Sequence, residues 1–293
     1  MASLFTGSFL HPNTTAELAA QARQLLEPYH DGIRKVGRSY SMVPLPYMLA
    51  MHSLFVSSFF RGAFNQYWLI GYWMAFCAGF GGGTLSSLFL AELPVWLQYD
   101  FILVIFSVCW YLMIYCPGDL VFKLYNNLPA RAACRVASSV LKAHTIAAGV
   151  THAVKVCAPG VVVSPLLLGT LGGCGGVYLT DIVLYNMGLR KPMEFSYPTW
   201  NTWSSFVIAF LYLSTVHWLP ILPQDVAEAL GITFLVAQAL ASEFTGLPLD
   251  CTAPIDYVFH VVTGIPRPAD VLKGAEKSAA KAPPTVGQKK KAM

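Results

Sequence analysis

Long apolar runs separated by short polar segments dominate this chain. Seven of these runs are long enough to cross a bilayer as helices, since about 20 apolar residues span the hydrocarbon core. They lie at residues 43–60, 67–90, 99–116, 131–156, 161–187, 199–219 and 226–244. A shorter apolar segment at 255–262 either extends the seventh helix or lies at the membrane interface. The pattern predicts an all-α membrane protein with seven transmembrane helices.

The fourth run is the most polar, and it carries the candidate functional side chains. At the helical period of 3.6 residues, one stripe of this run comprises Arg131, Arg135, Ser138, Lys142, Thr145, Gly149 and His152. A lysine at the bilayer centre costs about 2.5–3.5 kcal/mol, so Lys142 must face protein, water or a lipid headgroup unless its stem reaches an interface. The stripe predicts a water-filled path whose lining or gating residues are Ser138, Lys142, Thr145 and His152.

Two glycine clusters mark the second and fifth runs. They read GFGGG at residues 79–83 and GGCGG at residues 172–176. Each glycine in a helix interior costs about 1 kcal/mol relative to alanine, so the clusters indicate either close helix packing or bent or unwound helices in corresponding positions of two repeats. Because each cluster falls in the second helix of a three-helix half, we predict two inverted three-helix repeats followed by a seventh helix. The predicted bends are Gly81, Gly82, Gly83, Gly172, Gly173, Gly175 and Gly176.

Composition agrees with a membrane protein and argues against other classes. The chain of 293 residues is 55% hydrophobic and 12% charged, against about 25% charged residues in a soluble domain. Its net charge of +4 is not gathered in a basic patch, so no nucleic-acid partner is expected. The seven cysteines lack metal-ligand spacing, and no phosphate-binding loop, HExxH motif or Ser/His/Asp set supports catalysis. We therefore expect no enzyme, no metal site and no cofactor.

The two ends of the chain differ from its middle. Residues 1–40 form a polar leader with a short amphipathic helix at 15–26, residues 41–263 hold the seven helices, and residues 264–293 form a basic tail expected to be disordered. Loop lysines and arginines favour a cytosolic C-terminus, although the basic residues of the leader would then be luminal. Lys290 and Lys291 fit a dilysine signal for retrieval to the endoplasmic reticulum. A plain basic tail is the alternative interpretation.

An ordered series of short motifs resembles a known family. The series comprises Trp110-Tyr111-Leu112, Cys116-Pro117-Gly118-Asp119-Leu120, Leu128-Pro129, Ser196-Tyr197-Pro198-Thr199, Trp218-Leu219-Pro220 and Ala253-Pro254-Ile255-Asp256. In the fourth helix, Gly149 and His152 also follow the spacing of that family. The series covers roughly residues 43–266 and resembles the trimeric intracellular cation (TRIC) channels.

The resemblance implies a seven-helix protomer in a symmetric homotrimer, with two inverted three-helix repeats and one pore per protomer. The implied function is conduction of monovalent cations, mainly K⁺, across the membrane of the endoplasmic or sarcoplasmic reticulum. There it balances charge during Ca²⁺ release and uptake. Family members also bind a phosphoinositide, a membrane phospholipid, through basic residues of the fourth helix. The expected headgroup-binding residues here are Arg131, Arg135 and Lys142.

The fourth helix departs from the family pattern at its basic positions. The lysine–glutamate–valine start of the family signature is Ser138-Ser139-Val140 here. The arginine one turn later is Lys142, which keeps the charge without bidentate phosphate geometry, and a family lysine in the helix-five glycine stretch is Gly172. These losses weaken the implied phosphoinositide site. Two alternatives to a channel stay open: a non-conducting membrane scaffold, and a lipid or solute transporter on the same fold.

Overall fold

A computed structural model describes residues 12–64, 67–189, 194–195, 197–247 and 249–265, and within these ranges the regular structure is helical. The α-helices are α1 (Pro12–Ser41), α2 (Leu45–Ser58), α3 (Trp68–Phe89), α4 (Val95–Gln98), α5 (Asp100–Tyr115), α6 (Leu120–Tyr125), α7 (Leu128–Val156), α8 (Val163–Asn186), α9 (Trp200–Tyr212), α10 (Gln224–Thr245) and α11 (Ala253–Thr263). A π-helical turn, Leu213–Trp218, continues α9. The helices predicted from the seven apolar runs are confirmed, with ends that agree within three residues. Lys290 and Lys291 lie outside the described residues.

Local sequence signals account for several helix ends. Pro129 lies in the first turn of α7, where a missing N–H costs nothing. The Thr199 side chain accepts a hydrogen bond from the Asn201 N–H and so caps the start of α9. α10 ends at Gly246, which adopts the left-handed conformation with φ +67°. α11 is therefore a separate helix and does not extend α10.

The leader helix α1 is longer than the predicted segment 15–26, because contacts with α10 stabilise its second half. Gly37 packs against Ala229: a Cβ on Gly37 would lie 2.5 Å from the Ala229 Cβ. Arg34 Nε donates to Asp225 Oδ2 at 2.6 Å, and this hydrogen bond raises the pKa of the Arg34 guanidinium above its ordinary value. A sequence pattern read within one helix does not show such contacts, since the partners lie about 190 residues away along the chain.

A sharp bend follows α5. The chain turns by 90° between α5 and the segment Pro117–Tyr125, where Gly118 and Asp119 both have positive φ angles. Arg61 secures this corner, because its guanidinium donates to the Met113 carbonyl at 2.5 Å and to Asp119 Oδ1 at 2.6 Å. The corner thus depends on one arginine from the connection after α2.

α7 lies at the centre of the main hydrophobic core. Val140, Ile146 and Val150 are completely buried and belong to one cluster with Ile208 of α9 and Ile232 of α10. In a bilayer, van der Waals packing of such side chains is what holds neighbouring helices together. One face of α7 is therefore packed against α9 and α10, and its polar stripe lies outside this apolar cluster.

The glycine clusters bring α3 and α8 into direct backbone contact. A Cβ on Gly81 would lie 2.8 Å from the Gly176 Cα, and a Cβ on Gly175 would lie 2.9 Å from the Gly82 Cα. Both helices run through their clusters as uninterrupted α-helix. Close packing is thus the reason for Gly81, Gly82, Gly175 and Gly176.

Unwinding at the seven glycines is excluded, because α3 and α8 are uninterrupted through both clusters, whereas a bend of either helix at these glycines stays a prediction. Gly172 and Gly173 pack α8 against α7, since added Cβ atoms would lie 2.8 Å from the Thr145 carbonyl oxygen and 2.7 Å from Ile146. Gly83 differs, because an added Cβ would meet Thr145 Cγ2 only at 4.0 Å. Gly83 therefore borders open space and is not required for a close contact between helices.

By length and composition, two helices within the described residues qualify as membrane spans, namely α8 and α10. The bent pair of α5 and the segment through Tyr125 qualifies as a third if it counts as one span. Seven spans therefore stay a prediction. The helix α11 belongs to a second unit, which begins at Asp250, and exposes apolar side chains such as Val258, Val261 and Val262.

Candidate functional site

A cavity of about 670 Å³ lies among α2, α3, α7 and α8. Much of its wall is apolar, and the polar side chains that line it are His52, Thr84, Ser138, Lys142, Thr145, Thr180 and Asn201. Three of the four predicted pathway residues, Ser138, Lys142 and Thr145, are thus brought to one wall by the helical period of α7. Gly82, Gly83, Gly172, Gly173 and Gly176 also line this space, so the glycine contact and the polar stripe meet at one place.

Lys142 turns its ammonium group toward the start of α9. The Nζ atom donates to the Asn201 carbonyl at 3.0 Å and to Asn201 Oδ1 at 2.6 Å. A third hydrogen bond goes to Ser204 Oγ at 3.0 Å. Three neutral oxygens therefore satisfy the three N–H donors that a lysine has. These hydrogen bonds stabilise the ammonium group at the cavity wall. Lys142 therefore does not need to extend to a membrane interface.

Ser138 is bound by a residue that sequence reasoning missed. His52 on α2 places Nδ1 3.1 Å from Ser138 Oγ and Nε2 3.2 Å from the Gly79 carbonyl oxygen. The imidazole thereby links α2 with α3 and α7. The one signal in the sequence is that His52 stands as a titratable residue in the otherwise uncharged run 43–60.

Thr145 contributes a weaker polar surface. Its hydroxyl donates its proton to the Leu141 carbonyl of the preceding turn at 2.8 Å. Toward the cavity, Thr145 Oγ1 can therefore act only as a hydrogen-bond acceptor. The wall therefore offers hydroxyl and amide oxygens together with two basic side chains, Lys142 and His52. No carboxylate lines the cavity among the residues that the structure describes.

The fourth predicted pathway residue, His152, does not line this cavity. It lies ten residues beyond Lys142, about 15 Å along the helix, and its Nε2 atom is 2.6 Å from Glu92 Oε1. Both side chains of this pair are exposed, at 42% and 45%. Of the predicted stripe, Ser138, Lys142 and Thr145 line the cavity and His152 does not, and their role in an ion path stays a prediction.

The predicted headgroup residues occupy two separate places. Arg131 and Arg135 both pair through Nε with Glu243 of α10, the second at 3.0 Å. The Glu243 side chain is only 4% exposed, whereas the two arginines are 40% and 33% exposed. The cluster keeps one net positive charge at the surface. Lys142, in contrast, is bound to α9 and does not join this cluster.

Two further carboxylates secure the connection between α8 and α9. Asp181 Oδ2 accepts a hydrogen bond from the Glu194 N–H at 2.7 Å. Glu194 is buried and accepts from the Thr199 N–H at 3.0 Å and from the Thr202 hydroxyl at 2.6 Å. These bonds position the start of α9, which presents Asn201 to Lys142. Nowhere in the described residues do three or more His, Cys, Asp or Glu side chains form a metal site.

Comparison with known proteins identifies the arrangement. Residues 66–245, which include most of the cavity wall, match the family model described as TRIC channel. The chain belongs to the TRIC channel family. The match confirms the resemblance seen in the sequence, and it covers well over half of the chain.

Individual TRIC proteins agree with this assignment. The chain is 28% identical over 225 residues to "Trimeric intracellular cation channel type B-A" of Xenopus laevis, covering 72% of this chain and 75% of that protein. It is 34% identical over 144 residues to the human "Trimeric intracellular cation channel type B", covering 47% and 49%. The match to the human protein thus spans about half of each chain.

Solved TRIC structures have the same fold. A structure described as "Structural basis for activity of TRIC counter-ion channels in calcium release" aligns with a TM-score of 0.65 and 26% identity, over 72% of this chain and 99% of that one. A C. elegans "Trimeric Intracellular Cation channel" in the absence of Ca²⁺ aligns with a TM-score of 0.64 and 22% identity, over 74% and 97%. Almost the whole of each solved chain therefore has a counterpart here.

Proposed function

We propose that this TRIC family member conducts monovalent cations, K⁺ foremost, through the cavity among α2, α3, α7 and α8. In this proposal it is not an enzyme, and its current supplies counter-ions during Ca²⁺ release and uptake across the endoplasmic reticulum membrane. The names of the similar proteins support an intracellular cation channel. The description of the aligned structure supports a counter-ion role in calcium release.

The observation that carries the proposal is the chemistry of the cavity wall. Hydroxyl and amide oxygens of Ser138, Thr145 and Asn201 line the space, and neutral oxygens replace the hydration of a monovalent ion at modest cost. A Ca²⁺ site normally takes six to eight oxygens that include carboxylates. Because no carboxylate lines the described wall, the site suits a monovalent ion better than Ca²⁺.

The glycine contact supports the proposed repeat architecture. α3 and α8 are the second helices of the two three-helix halves, and they meet through Gly81–Gly176 and Gly82–Gly175. A symmetric crossing of corresponding helices is what two inverted repeats would produce at their shared interface. We propose seven spans on this basis, with α10 as the seventh. A cytosolic C-terminus then follows from the loop charges, with Lys290 and Lys291 as a retrieval signal.

Assembly and lipid binding complete the proposal. The relatives are named trimeric, and we propose a homotrimer, which native mass spectrometry of the detergent-solubilised protein tests. We assign a phosphoinositide headgroup to Arg131 and Arg135, the exposed basic pair on α7. Because Glu243 already neutralises one of these charges, binding is expected to be weak.

Recording from the purified protein in a planar bilayer tests conduction. With a KCl gradient across the bilayer, unitary currents should reverse near the K⁺ equilibrium potential. Reversal near the Cl⁻ potential would contradict a cation pathway.

A second candidate function is a non-conducting membrane scaffold. The observation that favours it is the ammonium group of Lys142 in a described wall without a carboxylate, since positive charge repels cations. Silence at all voltages from a correctly assembled trimer would favour this scaffold over a channel.

A further inference from the structure

His52 crosses the cavity wall between three helices. Its two ring nitrogens contact Ser138 Oγ on α7 at 3.1 Å and the Gly79 carbonyl on α3 at 3.2 Å. The ring also meets Phe80 edge to face, with centroids 5.9 Å apart. The proposed conduction does not itself require any of these contacts.

Proton accounting fixes the form of the neutral ring. A carbonyl oxygen only accepts hydrogen bonds, so His52 Nε2 must carry the proton that it donates to Gly79. In a neutral imidazole the other nitrogen is then an acceptor, and it takes the hydroxyl proton of Ser138. Both ring nitrogens of His52 are thereby hydrogen-bonded. The contacts with α3 and α7 together fix the orientation of the ring.

The space for this bridge is provided by a glycine. A Cβ on Gly79 would lie 3.3 Å from His52 Nε2 and 3.1 Å from Val56 Cγ2, closer than most side chains tolerate. A larger residue at this position would push α2 away from α3 and lengthen the hydrogen bond. The approach of the imidazole to the Gly79 carbonyl therefore depends on the absence of a side chain there.

We propose that His52 is the gate of the cavity. When its Nε2–H binds the Gly79 carbonyl and its Nδ1 accepts from Ser138, the ring holds α2 against α3 and α7 and keeps the passage narrow. Opening requires both hydrogen bonds to break. The inference deepens the proposed conduction and rests on it, with His52 acting as a positioning residue for Ser138.

Three variants recorded in planar bilayers with KCl test the gate. His52→Ala removes both hydrogen bonds and should raise the open probability about tenfold, a ratio within the range of two lost hydrogen bonds. His52→Gln has an amide donor and an acceptor, so it should restore much of the closed state. Val56→Ala enlarges the same wall one turn along α2 without touching the bridge, and should change the open probability far less.

Ser53→Ala is the matched control. Ser53 is the buried neighbour of His52, and its hydroxyl bonds only within α2, to the Leu49 carbonyl at 2.8 Å, so its removal should leave the currents unchanged. An equal rise in Ser53→Ala or Val56→Ala would assign the effect to loosened packing and overturn the gate. Wild-type currents that equal those of His52→Ala would overturn the gate while leaving conduction intact.

Two results separate this inference from the proposed conduction. A silent wild type with a conducting His52→Ala variant would support the gate, whereas silence of both would contradict gate and conduction together. Magnetic resonance of ¹⁵N-labelled histidine tests the bridge without any current, with His52→Gln to assign the signal among the seven histidines. A ring protonated at Nε2 supports the bridge, and one protonated at Nδ1 alone overturns it.

Discussion

The basic side chains of α7 fall into two groups, which differ in the charge of their hydrogen-bond partners. Toward the ends and outer faces of the helix, basic groups pair with carboxylates. The pairs are Arg131 and Arg135 with Glu243, His144 with Glu228, and His152 with Glu92. In the cavity wall, Lys142 instead bonds to neutral oxygens of Asn201 and Ser204.

This difference separates structural charge from candidate functional charge. An ion pair lowers the cost of removing each partner from water, whereas the hydrogen-bond partners of Lys142 are neutral and do not cancel its charge by direct pairing. A chain that needed only stability would do better with an apolar residue at the position of Lys142. A role of the Lys142 charge in the proposed conduction would account for its presence in the cavity wall.

The same contrast between packed face and cavity wall occurs on α3, and it predicts the largest effect on stability. A Cβ on Gly82 would collide with the Gly172 carbonyl and lie 2.9 Å from the Leu171 carbonyl. Gly82→Ala should therefore destabilise the protein by about 1–3 kcal/mol through overpacking. Gly83→Ala, which points into open space, should gain up to about 1 kcal/mol from helix propensity. Thermal unfolding in detergent compares the two variants, and equal midpoints would show that α3 and α8 are not in contact.

Neutralising Lys142 should have the next largest effect. A unit charge about 10 Å from an ion path contributes about 1.7 kcal/mol at an effective dielectric constant of about 20, which corresponds to about 17-fold in rate. Lys142→Gln keeps an amide donor for Asn201, and its K⁺ conductance should rise by up to about this factor. His144→Gln alters a side chain paired with Glu228 and serves as the control. Unchanged conductance in Lys142→Gln would place the ion path elsewhere.

Removing the carboxylate of Glu243 should leave Arg131 and Arg135 without their ion-pair partner on α10. Because Arg131 and Arg135 remain 40% and 33% exposed, water can solvate them, and Glu243→Gln should cost about 1–2 kcal/mol of stability. Binding to vesicles that contain phosphoinositide should increase, since the cluster gains one net positive charge. If binding falls instead, Glu243 orders the arginines for the lipid and does not compete with it.

The exposed pair of His152 and Glu92 should matter least. Ion pairs with side chains this accessible contribute about 0–1 kcal/mol, and the pair lies outside the cavity. His152→Ala should therefore leave K⁺ conductance unchanged and lower the unfolding midpoint only slightly, as should Glu92→Gln. A loss of current in His152→Ala alone would restore the longer pathway expected from the helical stripe.

Much of the fold follows from the sequence, because apolar runs bounded by proline and glycine determine where helices begin and end. The period of α7 also placed Ser138, Lys142 and Thr145 on one wall. Contacts between segments that are distant along the chain could not be predicted from the sequence. His52 meets Ser138 across 86 residues, and Lys142 meets Asn201 across 59, and no local pattern marks either partner.

The glycine clusters illustrate the same limit. Their composition indicated that α3 and α8 need space, but helix propensity alone does not distinguish a bend from a close neighbour. The position of Gly172 against Gly82 shows the close neighbour. The pairing of Arg131 and Arg135 with Glu243 was hidden for a similar reason, since the carboxylate lies about 110 residues further along the chain.

Reaction of a cysteine in the cavity wall during recording tests most directly that ions pass through this cavity. Thr145→Cys should lose most of its K⁺ current on treatment with a positively charged methanethiosulfonate reagent, because the modified side chain adds bulk and charge to the wall. His152→Cys and the unsubstituted protein, with its seven native cysteines, should keep their currents. Block of His152→Cys with a resistant Thr145→Cys would contradict the account and move the pathway outside the cavity.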